Sequence, residues 1–275
     1  MAITYKRLVE PEDLYELEKL EGKVWTGDSV IPFHMTVTLQ KFGGLFIGAF
    51  DGDEMVGFLY SFPGYTDGES HLCSHMLGIQ TEYRKQGIGV VLKWMQRDEA
   101  LKQGYRKVTW TYDPLETVNA SLNIGKLGGI VRRYIPNCYG ELKDELNRGL
   151  PTDRLLVEWF IESDRVERYK QRQTAPIGAG GVSVLTYEID SSGLPVPKES
   201  RLDAIEKTIL LPVPSQFQEI KLAGLERAHA WRNATSELFT HYFERGYTVC
   251  AVERDPVEPI VRYVLSSAPL TTILG

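Results

Sequence analysis

The segment that most constrains this chain runs from Leu77 to Gly104. Residues 71–79 alternate and read as a strand. A turn follows, Arg84-Lys85-Gln86-Gly87-Ile88-Gly89. Apolar residues then fall at Ile88, Val91, Leu92 and Met95, the i, i+3, i+4, i+7 spacing of an amphipathic helix, with Gly104 as its end. Two glycines without Cβ let the backbone come close to a ligand and adopt unusual φ angles. The first turn of a helix presents unpaired N–H groups and the positive end of the helix dipole. A strand, a glycine turn and a helix start are therefore a site for phosphate or pyrophosphate. It is not a Walker loop, because Gly89 is followed by Val90-Val91 where Lys-Ser/Thr is needed. It is not a Rossmann fingerprint, because Leu92 stands where the third glycine belongs. A turn whose glycines serve only its shape stays open as the other reading.

The rest of the chain narrows the class. Its 275 residues can bury a sizeable core. A net charge of -6, from 31 basic and 37 acidic residues, disfavours a phosphate backbone, so no nucleic acid partner is expected. Cys73, Cys138 and Cys250 lie far apart without C-x-x-C spacing, which argues against a disulfide framework and a zinc site and suits a reducing compartment. Neither a signal-peptide h-region nor a run long enough for a bilayer is visible. A cytoplasmic protein with no metal and no membrane partner is expected.

Hydrophobic periodicity predicts strands at 3–9, 45–50, 55–62 and 71–79, with a hairpin at Asp51-Gly52-Asp53 and an approach to the last through 64–68. Helices are predicted from Pro11 to Val24 and over 36–42. Beyond Gly104 the pattern gives a strand at 107–112, with Val108, Trp110 and Tyr112 on one face, then a short helix at 119–127 before Gly128-Gly129. Strands follow at 130–135 and 155–161, with a polar stretch, 141–153, as a helix candidate between them. Residues 162–173 read as a solvated helix. The stretch 174–181 (TAPIGAGG) reads as a linker. Strands at 182–189, 208–213, 247–253 and 260–265 then surround one long helix over about 214–245. The organisation expected is a catalytic domain over 1–173, the linker 174–181, and a smaller C-terminal α+β subdomain over 182–275 packed on the first. The fold class is α+β, a mixed and mainly antiparallel sheet flanked by helices.

Leu77 to Gly89, LGIQTEYRKQGIG, resembles motif A of the GNAT acyltransferases, whose core is [QR]-x-x-G-x-[GA], and the order of elements around it is similar to theirs over residues 3–161. The resemblance implies acetyl-CoA or another acyl-CoA as co-substrate and an amine as acceptor. By position, the Leu77 and Ile79 backbones would meet the pantetheine arm, Arg84, Lys85, Gln86, Gly87, Ile88 and Gly89 would hold the pyrophosphate, and Asn119 would contact the coenzyme arm. The family's usual tyrosine acid is absent: four residues before Gly128 stands Ile124. Tyr112, Tyr134 and Tyr139 are the replacements in reach, and Tyr139 is carried as the candidate. The stretch from Asp113 to Trp159, with Asp113-Pro114-Leu115, Lys126-Leu127-Gly128 and Asp153 to Trp159, resembles a GNAT-like subgroup of similar length, some of whose members resemble amino-acid N-acyltransferases.

Within that frame His75 is the candidate base, since imidazole suits proton removal at neutral pH. The strand alternates from Leu72 to Ile79, so His75 shares a face with Leu77 and Ile79. Asp113, at the end of a strand, is a second catalytic candidate, set against an Asp-Pro turn role. Arg154 is the candidate for an acceptor carboxylate, with Arg132 and Arg133 beside it, each set against ordinary ion pairing. The function expected is transfer of a short acyl group to a small-molecule amine, an amino acid among the possibilities. The alternative is a GNAT-like module that binds acyl-CoA without turnover. A homodimer is compatible with either.

Overall fold

A computed structural model describes residues 2–24, 30–140, 149–173 and 180–275. The helix candidate at 141–148 and most of the linker, 174–179, lie outside them. The chain divides into two compact units, residues 1–110 with 160–162, and residues 111–159 with 163–275.

The first unit holds β1 (Thr4–Arg7), α1 (Pro11–Val24), α2 (Phe33–Lys41), β2 (Leu45–Asp51), β3 (Glu54–Thr66), β4 (Glu69–Ile79), α3 (Ile88–Lys102) and β5 (Lys107–Tyr112) as far as Trp110. Its strands run in the order β1-β2-β3-β4-β5. β1 to β4 pair antiparallel in succession, and β5 lies parallel to β4. Six of the seven residues of β2 are buried, as in a strand covered on both faces. Leu14, Leu17 and Leu20 of α1 pack on Phe46, Phe58 and Tyr60 and close one face. β3 and β4 continue to a turn at Asp67-Gly68, so 64–66 are strand and not the expected approach loop.

In α3 the buried residues are Ile88, Gly89, Leu92, Lys93, Gln96, Arg97 and Ala100. Val91, expected on the apolar face, is exposed. The helix turns its Ile88–Leu92–Ala100 side to the sheet, and that side carries three polar side chains with it.

The second unit holds α4 (Thr117–Ala120), a π-helical turn (Ser121–Lys126), β6 (Ile130–Ile135), β7 (Arg154–Phe160), α5 (Asp164–Lys170), β8 (Val182–Ser183), β9 (Leu185–Ile189), β10 (Pro195–Ser200), β11 (Thr208–Pro214), α6 (Phe217–Ala223), α7 (Leu225–Glu244), β12 (Thr248–Arg254), β13 (Ile260–Ser266) and α8 (Leu270–Leu274). The strand order is β7-β6-β12-β13-β11-β8, with β9 and β10 as a separate antiparallel ribbon. The expected long helix is two, α6 and α7, parted at Gly224. The expected strand at 182–189 is broken at Val184, and β10 and α8 are additions. α5 is less solvated than its charge predicts: Arg165 is buried, donating to the carbonyls of Gly128 (2.8 Å) and Cys250.

Candidate active site

β4 delivers the chain to the turn. Gly78, one residue before its end, is needed for packing: a Cβ there would stand 2.5 Å from Cε1 of Phe58. Gln80 N donates to the Val56 carbonyl, and a 3₁₀ turn at Thr81–Tyr83 follows. Arg84 Nε donates back to the Ile79 carbonyl at 3.2 Å and Gln86 Nε2 to the Glu82 carbonyl at 3.2 Å. Lys85 (φ 65°) and Gly87 (φ 84°) are both left-handed. Backbone of this kind turns successive N–H groups into an anion-binding concavity. Gly87 caps α3 with no side-chain hydrogen bond, and its carbonyl receives Val90 N and Val91 N. The earliest amides of the helix have no intrahelical acceptor, so they remain for a ligand. Residues 84–87 are exposed, while Ile88 and Gly89 are buried. A recess of about 240 Å³ beside the turn is lined by Lys23, Val24, Gln80, Thr81, Glu82 and Arg84.

A Cβ on Gly89 would stand 3.4 Å from Ile79 and 3.5 Å from Leu77, which places both side chains under the start of α3. β4 and β5 pair at only two positions, Leu72↔Val108 and Cys73↔Thr109. Beyond those rungs β4 runs on through Ile79 with no further residue paired to β5. A stretch of β4 free of β5 pairing, leading to a helix start whose first amides lack intrahelical acceptors, is suited to a narrow chain that ends in a phosphate.

His75 departs from its expected place. Tyr60 pairs with Met76 and Ser61 with Ser74, so His75 is the extra residue of a β-bulge. The bulge interrupts the alternation that would have aligned His75 with Leu77 and Ile79. Its ring lies 5.7 Å from the rings of both Tyr60 and Phe62. Tyr60 belongs to the face covered by α1, where its hydroxyl donates to Glu21 at 3.0 Å. His75 is exposed as a residue, yet partial loss of water among these groups lowers its pKa. The imidazole is thus neutral at neutral pH.

Sequence reasoning missed buried charged groups in this unit, Glu21 and Lys93 among them. Glu21 is fully buried, accepts from Tyr60 and from Ile31 N (3.2 Å), and burial raises its pKa. Lys93 is 3% exposed, and burial holds its ammonium well below the ordinary lysine range. The signal for Lys93 was present: it follows Gly89 by four residues and adjoins Leu92, so it lies on the buried side of α3.

In the second unit three further candidates come together. The Asp113 carboxylate accepts a bidentate pair from Arg232 (2.8 and 2.6 Å) and the Leu115 amide (2.8 Å), and Arg154 Nη1 stands 3.8 Å away. Arg154 is buried, donates to the Asp153 carbonyl at 2.9 Å and lies over the Tyr139 ring at 5.3 Å. Tyr139 is half exposed, and its hydroxyl hydrogen-bonds Thr111 Oγ1 at 2.9 Å. Tyr112 is buried, and Tyr134 donates to Asp153 at 2.5 Å. Arg132 forms an exposed pair with Glu158. Asn119 is exposed in α4, and the next turn is π-helical, not the α-helix expected.

The end of β4, the left-handed turn and the start of α3 thus form one strand–turn–helix junction with exposed backbone at 84–87. Residues 11–122 match the model of the Acetyltransferase (GNAT) family, and this part of the chain is similar to that family's domain. No curated protein matches the chain. Solved structures similar to it include smu.2055 from Streptococcus mutans UA159, 22% identical, covering 59% of this chain and 100% of that one, with a TM-score of 0.48. The ribosomal-protein-S18-alanine N-acetyltransferase of Escherichia coli is 17% identical over 58% of this chain and 94% of its own, with a TM-score of 0.47. A GNAT-family acetyltransferase from Streptococcus pneumoniae is 17% identical over 57% and 98%, also at 0.47. Among the described residues no helix is long and apolar enough to cross a membrane, and no group of three or more His, Cys, Asp or Glu is placed to hold a metal ion.

Proposed function

We propose that the chain is an acyl-CoA-dependent N-acyltransferase that moves an acetyl or other short acyl group to a small-molecule amine in the cytoplasm. The observation that carries this reading is the start of α3 at Gly87, which has no side-chain cap, preceded by left-handed Lys85 and following the part of β4 that is not paired with β5. The amides of the turn hold the pyrophosphate, helped by Arg84 and Lys85. The pantetheine arm lies along Leu77 and Ile79. Asn119 is a further proposed contact for that arm.

The acceptor attacks the thioester carbonyl as a neutral amine, so its proton must pass to a base. His75 is the proposed base, directly or through water. Its lowered pKa keeps it unprotonated at neutral pH. The backbone at the bulge is the proposed donor to the developing oxyanion. Asp113 is the less available candidate, since both its carboxylate oxygens accept from Arg232. Arg154 is a proposed contact for an acceptor carboxylate, in competition with Asp113. Tyr139, with its exposed hydroxyl, is the proposed alternative acid.

Incubation with acetyl-CoA and a panel of amines, amino acids included, tests the reading by release of free thiol. Amine-dependent thiol release is the expected result. Saturable acetyl-CoA binding without release for any amine would favour the binding module, for which the missing tyrosine at Ile124 speaks.

A further inference from the structure

Lys93 is a charged side chain that the scheme above leaves idle. It stands on α3 between β4 and β5. Its Nζ donates to Ser74 Oγ at 2.9 Å and to Gln96 Oε1 at 3.1 Å, and lies 3.4 Å from the centroid of the Trp110 ring. Of the groups facing it, β4 contributes the Cys73 thiol and the Ser74 hydroxyl, α3 the neutral Gln96, and β5 the neutral Trp110. Among the described residues no carboxylate stands within ion-pair distance of it. An ammonium buried without a counter-ion is costly, and a methionine or leucine would fill the place at no such cost.

The location of this cost is specific. Cys73↔Thr109 is the last rung of the β4–β5 pair, and the next residue on each strand, Ser74 and Trp110, is one that Lys93 touches. The amine thus stands where the two strands part. From Ile79, at the phosphate-binding end of β4, to Ser74 is roughly 15 Å of strand, a span that an extended pantetheine arm covers. The sulfur of a coenzyme threaded into the gap would end near Ser74.

Resting on the acyltransferase reading, we propose that Ser74, backed by Lys93, supplies the proton that the coenzyme A thiolate takes as it leaves. When the tetrahedral intermediate collapses the C–S bond breaks, and the sulfur takes the Ser74 hydroxyl proton. Ser74 takes a proton from the Lys93 ammonium, leaving a neutral amine. The proton lost by the acceptor nitrogen restores the balance once it returns to Lys93. Burial eases the step by disfavouring the charged lysine. Ser74 is the group that touches substrate and Lys93 the positioning residue behind it. Together they occupy the role for which Ile124 supplies no tyrosine.

Two variants of the full chain, Ser74→Ala and Lys93→Met, test this with acetyl-CoA and an amine found in the panel. Both should bind acetyl-CoA with affinity within about threefold of the parent by calorimetry. Both should lose about 10²-fold in kcat. The alkaline limb of the kcat profile, where the parent loses its acid, should disappear in Lys93→Met, a change that a packing role would not produce. Lys93→Met should melt no lower than the parent, since it removes a buried charge. If Lys93→Met does not fold, Ser74→Ala decides alone. Either variant with near-parental kcat and an intact alkaline limb overturns the proposal while leaving the acyltransferase reading standing. A parent chain that fails to bind acetyl-CoA overturns both.

Discussion

His75 shows how one inserted residue redirects a side chain. Simple alternation puts it beside Leu77 and Ile79, but the bulge opposite Tyr60 and Ser61 turns its ring to Tyr60 and Phe62. No sequence rule locates a bulge, because the extra residue is fixed by the register of the partner strand. As the base, His75 gives a sharp expectation. Its pKa is lowered, so the active neutral form persists below the ordinary histidine value of about 6.5. The acid limb of the rate profile should therefore lie below that value. His75→Gln should lower kcat by about 10²-fold and remove the limb, with acyl-CoA affinity retained. Near-normal turnover with an unchanged profile would return His75 to a packing role. The same shift enters stability. The unfolded chain binds this proton more tightly, so the contribution is present above the unfolded pKa and lost as pH falls through the folded one.

Elements were more legible than the contacts within them. Pro11 and the leucine spacing define α1, the Asp51-Gly52-Asp53 turn defines the β2–β3 hairpin, and the glycine turn marks the start of α3. These signals are local. What escaped was set by tertiary context: the polar residues on the buried side of α3, the π-helical turn after α4, and the break at Gly224. Glu21 belongs to the same class. On a helix pattern it is one more charged residue in LEKLEGK, yet the fold encloses it against Tyr60 and Ile31. Burial raises its pKa, so its contribution to stability is fullest when it is protonated and declines as pH rises through the folded pKa. Glu21→Gln has no such titration. Its stability relative to the parent, read from urea midpoints between about pH 4 and pH 7, should therefore improve as pH rises. A difference that stays flat or falls over that range would mean the carboxylate is better solvated than its surroundings indicate.

At the scale of the molecule, the C-terminal residues are proposed not to act as a tethered module. Within the second unit β12 pairs with β6 at Val249↔Val131, Tyr263 donates to the Pro114 carbonyl at 2.7 Å, and Arg232 of α7 holds Asp113. Breaking a buried pair of that kind costs about 3–5 kcal/mol, which ties residues after 182 to the segment 111–159. The central claim rests on the first unit, where acyl-CoA is proposed to bind at the start of α3. Hydrogen exchange over the whole chain, with and without saturating acetyl-CoA, addresses it most directly. The account predicts slowed exchange concentrated at the amides of 84–91 and along 77–79. Unchanged exchange at those amides, with protection elsewhere or nowhere, would contradict it.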